Sequence, residues 1–186
     1  MANDTWDRTV KLSSEVRCVM GIDPARSHDY CAVVIIELGN PNQVVYAWNV
    51  RGVDFPSMAK KIHELTRDFN VCEIYMDKFG GGQAIADILA TMEPPLADKD
   101  DELRVGRKII TLVHPSNIET NRAVNDSKSL LEQGKLWFPT SPSVVENCKS
   151  AEKEEVYNTI QLMISQMASI VATSTSTGQV HFDVPG

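Results

Sequence analysis

Two kinds of apolar patterning alternate along this chain. Short apolar runs occur at residues 18–22, 32–36, 44–50, 71–76 and 109–113, several of them rich in valine and isoleucine. Their length and composition predict buried strands. Between and after them, apolar residues recur three or four apart. Met58, Ile62, Leu65 and Phe69 form one such stripe behind Pro56, a proline suited to the first turn of a helix. Ile85, Ile88, Leu89 and Met92 form a second, which begins on Gly80, Gly81 and Gly82. Ser116 and Glu119 have the spacing of a capping box, predicting a helix from there to Gln133 that stops at Gly134. Ser143 and Glu146 repeat that spacing before a long helix whose apolar positions are Val145, Cys148, Tyr157, Ile160, Met163, Ile164, Met167 and Val171. Residues 136–138 and 179–184 read as short extended pieces, residues 94–107 as a charged surface loop, and residues 1–15 as a polar leader or linker.

Chain-connection rules turn this pattern into a topology. The first three strands are joined by short turns, one around Pro24 and one around Pro41, and so form an antiparallel meander. A helix then carries the chain to the fourth strand, and a strand–helix–strand crossover is right-handed and parallel. With strand four beside strand one, the prediction is an α/β fold with a mixed sheet of order 3-2-1-4-5 and helices on both faces.

Composition narrows the class without naming a chemistry. At 186 residues and 42% hydrophobic, the chain is long enough for one domain with a sizeable core. Its longest apolar run, CAVVII, is too short to cross a bilayer, and no secretion signal opens it, so no membrane role is expected. Cys18, Cys31, Cys72 and Cys148 form no CxxC pair, which predicts reduced thiols rather than a structural zinc site. A net charge of −7 argues against a generic basic nucleic-acid binder. It leaves room for an enzyme that reaches phosphates through cations held by carboxylates.

Two carboxylates supply that possibility. Asp23 ends the first apolar run and Asp77 ends the fourth. The predicted order makes those strands parallel neighbours, so both acids fall at their carboxyl ends, where open α/β sheets bind ligands. Two such carboxylates repel unless a proton or a cation lies between them. An all-oxygen pair suits Mg²⁺ or Mn²⁺ and points to phosphodiester hydrolysis of the two-metal kind. Only two acids are placed, so ion binding is expected to be weak, with Mn²⁺ more effective than Mg²⁺ because it tolerates irregular coordination.

The stretches GIDPARSHDYCAVVI, IYMDKFGGGQAIADIL, HPSNIETNRAVNDSKSLLEQGKLWFP and HFDVP resemble the nuclease domain of the large terminase subunit of tailed bacteriophages. The resemblance runs from about Val16 to Pro185 and implies an RNase H-like fold over residues 16–186. It implies a metal-dependent endonuclease that cuts concatemeric double-stranded DNA during viral genome packaging in the host cytoplasm. The family's first two acidic ligands fall on Asp23 and Asp77. Its third follows an FDVP-like strand, so the resemblance places that ligand beyond Gly186, with Asp183 preceding the point. The family's packaging ATPase domain is expected upstream, as no GxxxxGK[ST] occurs here. The small terminase subunit and the portal are the implied protein partners.

Other residues carry paired readings. Asp29 closes a turn or supports a metal from outside, Lys78 is a surface lysine or a phosphate contact, and the three glycines cradle a phosphate or allow close packing. His28, His63, His114 and His181 lack ligand spacing and read as surface or core residues, with His28 in the Asp23 loop the one to watch. Arg104, Arg107, Lys108, Arg122, Lys128 and Lys135 are available for a DNA track or for solubility. Two other functions remain open: a non-catalytic docking module of the packaging motor, and a nucleotide-binding lobe of the actin or sugar-kinase type.

Overall fold

The structure, a computed structural model, describes residues 16–25, 30–103, 105–114, 116–142, 150–174 and 180–183. Strands β1 (Cys18–Asp23), β2 (Tyr30–Glu37) and β3 (Asn42–Arg51) form the expected meander, and helix α1 (Phe55–Asp68) leads to β4 (Val71–Asp77). A wide turn over Lys78–Gly82 opens into α2 (Gln83–Leu89), followed by β5 (Leu96–Asp98) and β6 (Arg107–Val113). Helix α3 (Asn117–Glu132), β7 (Leu136–Trp137), α4 (Ser150–Ser169), β8 (Val171–Ser174) and β9 (Val180–Asp183) complete the described chain.

The main sheet has the order β5-β6-β4-β1-β2-β3-β7. Its five inner strands reproduce the expected 3-2-1-4-5 arrangement, with β6 as the fifth. β1 pairs antiparallel with β2 and parallel with β4, and β4 pairs parallel with β6, so the sheet is mixed as expected. Two edge strands extend it. β5 lies within the stretch expected to be a loop, where Leu96, Ala97 and Asp98 pair with β6, whose first residue, Arg107, closes that stretch. β7 is held against the start of β3 by two residue pairs. β8 pairs with β9 as a separate antiparallel ribbon, so Val171 belongs to a strand and not to the α4 stripe.

Helices cover both faces. Tyr46 pairs with Ile35, and its ring meets Phe69 at 5.2 Å between centroids, which puts α1 on the Ile35 face. Asn49 pairs with Ala32, of opposite parity to Ile35, and borders a groove with Asn158 and Leu162 of α4. The alternation that buries Met20, Ile22, Val33 and Ile35 against α1 and α2 therefore turns Ala32, and its partner Asp23, toward the side of α4. The α1 stripe is buried as the spacing predicts, with Asp54 capping it by accepting from the Ser57 N–H at 2.8 Å.

The Ser116–Glu119 capping box forms in full, and Gly134 follows α3 with φ +65°. The Ser143–Glu146 box lies outside the described residues. No residue of α3 is fully buried, so this helix depends on its cap more than α1 does. Ser116→Ala is expected to cost about 1 kcal/mol, read as a lower urea midpoint. Hydrogen bonds from Ser116 also hold the Glu119 carboxyl below the usual range. That contribution is present at neutral pH and is lost as pH falls through the lowered value. No described helix is long and apolar enough to cross a membrane.

Candidate metal and nucleic-acid site

Asp23 and Asp77 each end a strand because the local chain stops pairing there. Pro24 lacks the N–H that would continue β1. At Asp77, a carboxylate oxygen accepts the Phe79 N–H at 2.8 Å, turning the chain away from the sheet. Ile22 and Met76 are the last registered pair between β1 and β4. The two aspartates are the next residues along these neighbouring parallel strands, which are spaced about 4.8 Å apart. Side-chain alternation sends both to the same face, since Ile22 and Met76 are both buried on the other. Asp23 is exposed and Asp77 half-buried.

The three glycines hold this edge together. A Cβ on Gly80 would lie 1.8 Å from the Pro24 carbonyl oxygen, so the turn after Asp77 lies directly on the turn after Asp23. On Gly81, at φ +117°, it would lie 2.4 Å from the Phe55 ring, and on Gly82, 2.0 Å from the Asp77 carbonyl oxygen. Protein atoms therefore account for all three glycines. Of their two readings, close packing explains the run fully, and with it goes the main feature that suggested a phosphate loop of a nucleotide-binding lobe.

The surroundings are open. Gly21 is exposed with nothing within 4 Å of a Cβ position, and Tyr75 is 43% exposed, so the sheet face below both carboxylates is bare among the described residues. The donor set is two hard carboxylates. No group of three or more His, Cys, Asp or Glu assembles among the described residues, and Asp29 lies outside them. Such a pair, with water completing the shell, fits Mg²⁺ or Mn²⁺ and not zinc. Asp183 ends β9, in the separate ribbon.

The other weighed residues separate clearly. Lys78 is exposed directly after Asp77. His63 is buried and donates from Nε2 to the Pro94 carbonyl at 2.8 Å, a structural role. His114 is different: it follows β6 immediately, at the same sheet edge as the carboxylates, and meets the Phe79 ring edge-on at 4.1 Å. Sequence spacing missed it because its neighbours come from other strands; its place just after an apolar run is the signal that could have found it. The basic residues weighed for a DNA track do not gather here. Arg107 opens β6 at the opposite end, Arg122 pairs with Asp126 and Lys128 with Glu132 on α3, and Arg104 and His28 lie outside the described residues.

Cys31 is buried beside this edge. Burial pushes its thiol from an ordinary value of 9.0 up to about 11; the Ala25 backbone opposes the rise and the Asp23 charge adds to it. Because the folded value is raised, its contribution to stability is complete below about pH 9 and lost as pH climbs through about 11. Among the described residues, Cys18, Cys31 and Cys72 form no disulfide. At pH 8, iodoacetamide is expected to modify half-buried Cys72 in the native protein but Cys18 and Cys31 only after unfolding, as read by peptide mass mapping.

Comparison with known proteins accords with this fold. The sequence profile of the terminase RNaseH-like domain matches residues 20–182. No curated protein matches the chain by sequence. Among solved structures, the large terminase nuclease of thermophilic phage G20c is similar at TM-score 0.65 and 14% identity, covering 94% of this chain and 75% of that one. The same nuclease has been solved with bound magnesium. The large terminase of bacteriophage HK97 is similar at TM-score 0.59 and 11% identity over 90% of this chain and 35% of that one. The nuclease domain of the large terminase subunit gp2 of bacterial virus Sf6, in a form with manganese, gives TM-score 0.56 and 10% identity, covering 89% and 76%.

Proposed function

The chain belongs to the terminase RNaseH-like domain family, and from that premise we propose that it is a metal-dependent endonuclease acting on double-stranded DNA in viral genome packaging. The observation that carries this reading is the pairing of β1 with β4, which puts Asp23 and Asp77 on one face at one sheet edge. In this reading the two carboxylates hold Mg²⁺ or Mn²⁺. The bound ion supplies Lewis-acid stabilisation of charge at the phosphate and activates water. Asp77 keeps one oxygen on the Phe79 N–H, so its carboxylate is oriented before any ion arrives. Exposed Lys78 offers the scissile strand a cation next to the acids. Among the described residues, the sheet face around Gly21 and Tyr75 is bare, which leaves room for a duplex to approach. The ATPase domain, small terminase subunit and portal are the partners this function requires.

The test is conversion of supercoiled plasmid to nicked and linear forms by the purified chain. Cutting with Mn²⁺ or Mg²⁺ that EDTA abolishes is the expected result. An inert protein that still binds the ions would favour a docking module instead. ATP binding without cutting would favour the nucleotide-binding lobe.

A further inference from the structure

Along the sheet edge, the carboxylates lie between two aromatic pairs whose rings are exposed. Tyr30 begins β2 and pairs with Arg51 at the end of β3, whose guanidinium lies over the tyrosine ring, 5.8 Å from its centroid. Tyr30 is two residues before Ala32, the partner of Asp23, so this pair shares the face and the edge of the acids. On the other side, Phe79 and His114 meet edge-on at 4.1 Å, beyond the ends of β4 and β6. Tyr30 is 57% and Phe79 67% exposed, unusual for rings with a hydrophobic core so near. The sheet order is β3-β2-β1-β4-β6 across this edge, so the row from one pair to the other spans four strand spacings, or about 19 Å.

We propose that these two aromatic pairs are the DNA-gripping flanks of the site, contacting the duplex on either side of the phosphate presented to Asp23 and Asp77. The proposal rests on the nuclease reading above and adds which residues bind its substrate. With the scissile phosphate at the carboxylates near the middle of a row of about 19 Å, each end lies about 10 Å to one side, within reach of the neighbouring sugars and phosphates of the duplex. Each flank joins an apolar ring, suited to sugar and base faces, to a donor suited to phosphate: the Arg51 guanidinium and an imidazole N–H of His114. Arg51 and Lys78 supply cations within the row, whereas Glu154 and Glu155 of α4 border Asn49, two residues from Arg51 on β3.

The experiment measures binding of a fluorescein-labelled duplex by anisotropy in Ca²⁺, and KM and kcat for plasmid cutting in Mn²⁺. Phe79→Ala and Tyr30→Ala are each expected to weaken binding and raise KM by about tenfold, with kcat changed far less. Arg51→Ala should also lower the salt slope of binding by about one. Phe79→Trp should restore binding, and Lys60→Ala, exposed on α1 at the other face, should bind as the parent does. Circular dichroism checks that each variant folds. A parent that cuts DNA while the flank variants keep its affinity and KM overturns the flanks and leaves the nuclease reading standing. Loss at one flank only overturns the two-sided grip. A parent that neither binds nor cuts DNA overturns both.

Discussion

Asp77→Asn is expected to lower metal-dependent plasmid cutting by at least about 100-fold while leaving the thermal midpoint nearly unchanged. The amide oxygen still accepts the Phe79 N–H, so the turn that follows β4 keeps its shape. What disappears is half of the negative charge that the pair offers a divalent ion, and such an ion is worth several kcal/mol of charge stabilisation in the transition state. Asp23→Asn should cost a similar factor, because neither carboxylate alone neutralises the ion. Isothermal titration with Mn²⁺ should show the same loss directly, without DNA. Full cutting by either variant would move the metal site away from the β1–β4 edge.

Gly80→Ala is expected to produce nearly as large a loss of cutting by a different route. Its Cβ would enter the space of the Pro24 carbonyl oxygen, a backbone atom that has no rotamer to yield. The turn after β4 must then lift off the turn after β1 by more than an ångström. Overpacking of this kind costs about 1–3 kcal/mol of stability. It also shifts Asp77 relative to Asp23, and a displacement near 1 Å at a reacting site can cost about 100-fold in rate. Gly21→Ala is the internal control for stability. It lies on β1 with open space around it, and alanine there should be neutral or stabilising by up to about 1 kcal/mol in urea titration. A Gly80→Ala protein that keeps parental cutting and stability would show that the two turns are not packed as described.

Much of this architecture was legible because its signals are local. Apolar runs closed by Pro24 or by an acid, the helical spacing from Met58 to Phe69, and the capping box at Ser116 each declare an element from within a few residues. The crossover rule made β4 parallel to β1, the sequence reading took the two as neighbours, and the structure pairs them, which brings both aspartates to one edge. β5 and β8 were not legible, since three or four residues with little alternation acquire strand geometry only from the partner beside them. The mixed Pro94–Arg107 stretch shows this well: Leu96 and Ala97 are buried because β6 is adjacent, not because their own pattern demands it.

For the candidate site, the sequence by itself determined which residues could hold a hard cation and where each sits along its strand. Only the tertiary structure decided what surrounds them. That Gly80 exists to admit the Pro24 carbonyl, that His114 reaches Phe79, and that Tyr30 meets Arg51 all depend on atoms far apart in the chain. The physical reason is the range of the forces involved. Turn and cap preferences act over three or four residues and are written in order. Steric exclusion and ring contacts act over a few ångströms of space, and space is shared between distant residues only after the sheet has assembled.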